Sequence, residues 1–123
     1  MKTFKDISII ELKSIDNKID IPYKNVHKCG EVTFLGSENQ PDFAELTIEI
    51  MYDKSIIELK SLKKYLYQFR DIHISYERLG ASIFKGITAR YQPSQLKVQL
   101  KFNIRGGISS EVIFESNKEL LNK

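Results

Sequence analysis

The stretch from Leu96 to Ile104, LKVQLKFNI, alternates without a break, with Leu96, Val98, Leu100, Phe102 and Ile104 on one side and Lys97, Gln99, Lys101 and Asn103 on the other. A period of two over nine residues suits a strand with one face buried and the other wet; a helix would scatter the same side chains around its circumference. Arg105, Gly106 and Gly107 follow at once, and the paired glycines supply the positive backbone angles of a tight reversal. Ile108 to Glu115, ISSEVIFE, is therefore predicted to return as the hairpin partner.

The same alternation marks residues 44 to 52, AELTIEIMY, with Ala44, Leu46, Ile48, Ile50 and Tyr52 inward and Glu45, Thr47 and Glu49 outward. A strand is also expected from Glu31 to Leu35 and a weaker one from Ile7 to Leu12. Between the strong strands the period changes to steps of three and four. Leu59, Leu62, Leu66 and Phe69 form one stripe, with Lys60, Lys63, Lys64 and Gln68 facing away, which predicts an amphipathic helix ending near Arg70. Its start has two readings: Ser55 with Glu58 makes a capping box, in which Glu58 only satisfies a backbone amide, or Ser61 caps a later helix and leaves Glu58 to Ser61 as a loop open to a ligand. A second helix is expected from about Tyr76 to Ala89, its stripe of Leu79, Ile83 and Ile87 weakened by Gly80 and Gly86, and ended before Pro93. The order strand, strand, helix, helix, strand, strand gives an α+β domain, an antiparallel four-stranded sheet with both helices on one face. The bare face is expected to be covered by another copy of the chain in a symmetric oligomer.

Composition narrows the function classes. The 123 residues suit one domain spanning 1–123, and 41% hydrophobic with 28% charged residues argues for a folded globular protein. The lone cysteine, Cys29, excludes an internal disulfide, and with two histidines, His27 and His73, no metal site is expected. Nineteen basic residues against sixteen acidic ones are dispersed, so direct nucleic-acid binding is not expected. No apolar run is long enough for a membrane span and MKTFKDISII is no signal peptide, which makes a cytoplasmic protein the expectation.

The run Glu58 to Arg70, ELKSLKKYLYQFR, carries Glu58, Lys60, Ser61, Lys63, Tyr65, Phe69 and Arg70 at the spacing of a signature of the 7-cyano-7-deazaguanine (nitrile) reductases, the QueF-like family. Gln40-Pro41-Asp42-Phe43-Ala44 upstream and Arg105-Gly106-Gly107-Ile108-Ser109 downstream match further motifs in the family's order. The chain resembles that family over roughly residues 29 to 110. The resemblance implies a tunnelling fold assembled into rings with sites shared between subunits. It also implies NADPH binding by Glu58, Lys60, Arg105 and Gly106, and a deazaguanine base held by Glu77 with Tyr76, Leu59 and Ser61. A carboxylate suits the guanine-like edge because two adjacent N–H donors meet its two oxygens; read from the residues alone, Glu77 is a first-turn acid facing the helix dipole.

The departures redirect the function. The reductases attack the nitrile with a cysteine shortly before Gln-Pro-Asp, and the aligned position here is Gly36. Cys29 aligns with an additional upstream cysteine of some members and reads as a small buried side chain. The family histidine beside the base-binding glutamate is replaced by Tyr76, and His73 could stand in only if its loop folds back. The family's proton-donating aspartate persists as Asp42. Hydride reduces a nitrile only after activation, and position 36 has no side chain to provide it. The archaeal amidinotransferase relatives keep the cysteine and lose the NADPH signature, the reverse of this chain. The leading expectation is decarboxylation of 7-carboxy-7-deazaguanine to 7-deazaguanine, a base some phages and their hosts place in DNA. Asp42 would protonate the electron-rich C7 and no cofactor would be needed. Two alternatives remain: an NADPH-dependent 7-cyano-7-deazaguanine reductase using Cys29 or a residue of a neighbouring chain, and a non-catalytic deazaguanine-binding subunit.

Overall fold

A computed structural model describes residues 2–116, so the ends of the expected 1–123 domain, residue 1 and residues 117–123, lie outside the described residues. The elements in chain order are β1 (Ser14–Asp16), β2 (Asn25–Leu35), β3 (Pro41–Met51), β4 (Ser55–Ile57), α1 (Leu59–Tyr67), α2 (Tyr76–Tyr91), β5 (Gln95–Phe102) and β6 (Glu111–Glu115). Four strands form an antiparallel sheet in the order β2-β3-β5-β6, and β1 pairs with β4 in a separate two-stranded ribbon. Both helices lie between the second and third strands of the main sheet, as the changes of period require.

The alternation of β3 and β5 becomes a buried face. Leu46, Ile48, Ile50, Leu96, Val98 and Leu100 are almost completely shielded, and Ala44 opposite Phe102 and Ile48 opposite Val98 fix the register. Each fully buried aliphatic side chain of this kind contributes about 1.5–3 kcal/mol. A slip of one residue would turn the whole set toward water, which pins the pairing. In α1, Leu62, Tyr65 and Leu66 are buried, and a 3-10 turn, Gln68–Asp71, carries Phe69 into the same core. In α2, Leu79, Ile83, Ile87 and Tyr91 are buried, and the helix ends where Gln92 takes a left-handed conformation just before Pro93. The glycines that dilute its stripe mark close approaches. A Cβ on Gly80 would stand 2.8 Å from the Phe114 ring of β6, and one on Gly86 would stand 2.7 Å from the Tyr65 hydroxyl of α1.

Several expectations are corrected. Residues 7 to 12 are not a strand: Thr3 and Ser8 cap two short 3-10 turns, Phe4–Asp6 and Ile9–Glu11, and local side-chain capping prevails where no neighbouring strand is available. The strand expected at 31 to 35 starts six residues earlier, with a bulge between Cys29 and Val32. The β5–β6 hairpin is shorter than its alternation: β5 stops at Phe102, β6 starts at Glu111, and Ile104 and Ile108 are exposed on the intervening arm. Neither start proposed for α1 holds. Ser55 lies in β4 and Ser61 lies inside the helix, whose N-cap is Glu58. Leu59, counted into the apolar stripe, is 55% exposed and borders a groove beside β2 rather than the core. The uncovered face bears Lys24 and Lys97 paired with Glu49, together with Glu45, Gln99 and Lys101 and the exposed Val26, Phe43 and Ile113, a mixed charged and apolar surface.

Candidate functional site

Among the described residues, tyrosines apart, only two polar side chains are buried, Asp42 at 4% exposure and Ser61 at 3%. A buried carboxylate is costly unless donors surround it, so Asp42 is where the fold departs from apolar packing. The β2–β3 connection positions it. Leu35 pairs with Pro41, Gly36 N donates to Gln40 O at 2.8 Å, and Glu38 and Asn39 take positive φ to close the polar loop. Asp42 is thus the second residue of β3, opposite Phe34, and shares the parity of Ala44 and Leu46, which sends its side chain to the helix-covered face.

Three groups converge on that carboxylate. The Tyr76 hydroxyl donates to Oδ2 at 3.0 Å, the backbone N–H of Phe43 donates to Oδ1 at 2.8 Å, and Arg105 Nη2 forms an ion pair with Oδ1 at 3.3 Å. Tyr76 opens α2, whose N-cap Ser75 accepts from Arg78 N. Its ring lies flat on Phe102, with centroids 3.7 Å apart and planes at 7°, and meets Phe34 edge-on at 5.9 Å. Burial, and then the hydrogen bond it donates to Asp42, push the Tyr76 phenol above its ordinary value, so it remains a donor at neutral pH. The backbone of residues 72 to 74 folds back onto β2 through Leu35 N to Ile72 O at 2.9 Å and Ile74 N to Leu35 O at 3.1 Å. That fold-back places His73 on the wall of the same cleft.

The cleft, of 590 Å³, is lined by Gly36, Glu38, Asp42, His73, Tyr76 and Arg105 among others. A Cβ on Gly36 would lie 3.5 Å from Asp42 Oδ2, so position 36 faces the carboxylate across ordinary van der Waals distance. The cleft therefore presents a buried acid, a phenol, an imidazole and a guanidinium, and no thiol among the described residues that line it. Cys29 borders a different groove, of 600 Å³, with His27, Leu59, Lys63, Tyr67 and Arg70, and burial pushes its thiol up, away from the reactive thiolate form.

The remaining expected site residues are distributed as follows. Glu77 is exposed in the first turn of α2, next to Tyr76, and does not line the Asp42 cleft. Glu58 caps α1, accepting Lys60 N at 3.1 Å and Ser61 N at 2.9 Å. The Ser61 hydroxyl donates to Glu58 O and accepts from Lys13 N, while Tyr91 donates to Lys13 O. Glu58 and Ser61 of the signature therefore tie Lys13 to the start of α1. Lys60 and Gly106 are exposed. Glu58 and Lys60 sit at α1 whereas Arg105 and Gly106 sit beside Asp42, and neither the Asp42 cleft nor the Cys29 groove is lined by both sets. Within one chain the four residues expected for NADPH do not line either of these two cavities together. Among the described residues no group of three or more histidines, cysteines and acids could hold a metal, and no helix is long and apolar enough to cross a membrane.

The pairing of Arg105 with Asp42 escaped the sequence reading, which gave Arg105 to a cofactor. The signal was in the register. Once the alternations place Ala44 opposite Phe102, antiparallel counting brings the residues beyond Phe102 alongside Asp42.

Residues 41–120 match the family model described as QueF-like protein. A protein of Nitrosomonas europaea named NADPH-dependent 7-cyano-7-deazaguanine reductase is 34% identical over 111 residues, covering 89% of this chain and 80% of the relative. A protein of the same name from Magnetococcus marinus is 39% identical over 92 residues, covering 74% of this chain and 72% of its own. The crystal structure of an archaeosine synthase QueF-like protein in its apo form superposes with a TM-score of 0.73 at 21% identity, covering 79% of this chain and 96% of that one. At that identity the likeness extends to the fold alone.

Proposed function

The chain belongs to the QueF-like protein family, and on that premise we propose that it decarboxylates 7-carboxy-7-deazaguanine to 7-deazaguanine, with Asp42 delivering the proton. The observation that supports this reading is the composition of the cleft: a buried carboxylate faces position 36, where a glycine leaves room and offers no nucleophile. A base with a planar substituent can fill the space a cysteine side chain would take. Asp42, carrying a proton, adds it to C7; the C7–carboxylate bond then breaks, its electron pair returns to the five-membered ring, and carbon dioxide leaves. One proton from solvent restores the acid, so substrate anion plus one proton gives product plus carbon dioxide. Tyr76 and Phe43 N hold the carboxyl group in place while the proton moves.

Glu77 is assigned to the guanine-like edge of the base, and since it lies outside the Asp42 cleft of its own chain, the complete site takes Glu77 and the exposed Leu59 from a neighbouring copy in a ring, whereas the buried Ser61 is left to the fold. A second reading, NADPH-dependent reduction of 7-cyano-7-deazaguanine, has the names of the relatives in its favour. Against it stand the separation of Cys29 from Asp42 and the split of the NADPH residues between two places.

Incubating the protein with 7-carboxy-7-deazaguanine and following the base by mass spectrometry is expected to show loss of one carbon dioxide without added cofactor. Asp42→Asn should abolish turnover while the base still binds, and Glu77→Ala should abolish binding. A fully active Asp42→Asn protein excludes the proton-donor role, and NADPH consumption with the 7-cyano base would replace this reading with the second.

A further inference from the structure

Arg105 is the only lysine or arginine among the described residues that line the Asp42 cleft, whose two acids are Glu38 and Asp42. Two acids without a counter-charge would repel an anionic ligand, so the cation's placement decides what the cleft can admit. Resting on the decarboxylase reading, we propose that Arg105 is the specificity-determining residue of this site: its guanidinium leaves Asp42 for the carboxylate on the substrate's five-membered ring, selecting an anionic substituent over a neutral one.

The contacts of Arg105 suit a change of partner. Its hold is light: a single nitrogen, Nη2, serves both Asp42 Oδ1 and Pro41 O, each at 3.3 Å, and the side chain is 56% exposed. Among the described residues the other guanidinium nitrogens have no hydrogen-bond partner, which leaves part of the planar fork open to a carboxylate, the geometry guanidinium groups match best. The Asp42 side of the pair is only 6% exposed, so the exchange is favourable only where the substrate's carboxylate takes the guanidinium and a proton settles on Asp42. The backbone beneath is held. Arg105 N donates to Ile108 O and Ile108 N to Arg105 O, both at 3.0 Å, around Gly106 and Gly107 at φ +58° and +78°. These angles make a two-residue turn closed on both sides, so the side chain can swing from a fixed root.

The exchange also prepares the acid. When Arg105 turns to the substrate, Asp42 keeps its bonds from Tyr76 and Phe43 N but faces another carboxylate without the intervening cation. Two carboxylates in that position favour sharing one proton, and the proton is the one the reaction consumes. A nitrile, being neutral and linear, triggers neither event.

Calorimetric titrations of 7-carboxy-7-deazaguanine and 7-cyano-7-deazaguanine into Asp42→Asn protein, in which turnover is expected to be absent, test this against the double variants with Arg105→Ala and Arg105→Lys. Arg105→Ala is expected to weaken the carboxy base about tenfold to a hundredfold, the worth of a hydrogen-bonded charge contact, and to leave the cyano base within about twofold. Arg105→Lys should recover part of the loss through charge alone. Equal losses for both bases, no loss for either, or no binding of the carboxy base to wild-type protein would each overturn the assignment. If wild-type protein shows the selectivity and loses it with Arg105→Ala but releases no carbon dioxide, the reaction is wrong and the recognition stands. If carbon dioxide is released and Arg105→Ala leaves the selectivity unchanged, the reverse holds.

Discussion

Tyr76→Phe isolates the bond that fixes the candidate acid. The change removes one oxygen and leaves the ring stacked on Phe102 at 3.7 Å and edge-on to Phe34, so the packing term is preserved. What is lost is the 3.0 Å donor to Oδ2 of a carboxylate only 4% exposed, one of its two hydrogen bonds. A hydrogen bond to a charged acceptor contributes about 1.5–3 kcal/mol, and the open cleft lets water take the vacated place, which brings the expected cost to about 1–2 kcal/mol. For a chain of this length that lowers Tm by about 3–8 °C. Urea denaturation of wild type, Tyr76→Phe, Asp42→Ala and the double variant closes a cycle in which the two residues should couple by about 1–2 kcal/mol. Additivity within about 0.3 kcal/mol would refute the claim that Tyr76 holds Asp42, whatever the single variants do.

Gly86→Ala should destabilise by about 1–3 kcal/mol despite alanine's better helix propensity, because the new Cβ meets the buried Tyr65 hydroxyl at 2.7 Å; combining it with Tyr65→Phe should return part of the loss in thermal melts. Ser61→Ala leaves Lys13 N without its 2.9 Å acceptor and should cost about 1–3 kcal/mol in denaturant titrations, with no selective effect on base binding if Ser61 serves the fold. Burial holds the His27 imidazole below its ordinary 6.5, so the unfolded chain binds the extra proton. Stability from this group is therefore fully present above pH 6.5 and declines as pH falls through that value toward the folded one, and His27→Gln should flatten that part of a stability-against-pH curve. Gly36→Cys places a thiol facing Asp42 and should capture 7-cyano-7-deazaguanine as a thioimide: sulfur bonds to the nitrile carbon, the thiol proton goes to nitrogen, and the protein mass rises by one intact base. Wild-type protein, with no thiol in that cleft, should show no adduct, and an unmodified variant would contradict the geometry at position 36.

The main sheet and its two helices were legible because their signals are local. Unbroken alternation at 44–52 and 96–104 and steps of three and four at 59–69 can each be satisfied in one way, and burying each set on one side leaves one layer order. The weaker elements were not legible for the same reason. Residues 14–16 and 55–57 are too short to show a period and are strands only because each finds the other, while residues 7–12, with four apolar side chains, find no partner strand and settle into capped turns. The start of α1 depended on Glu58 taking two backbone amides itself, a choice among nearby capping residues that geometry makes and spacing does not.

At the site, the sequence by itself supplied the acid, the missing cysteine and the family signature, because residue identity at aligned positions carries that information. Only the tertiary structure decided that Asp42 points into the core face, that Tyr76 and Arg105 meet it from an α2 terminus and a hairpin turn far away in the chain, and that Glu58 and Ser61 serve the start of α1. Those are contacts between elements distant in sequence, set by strand register and helix placement acting together, and no window of residues contains them.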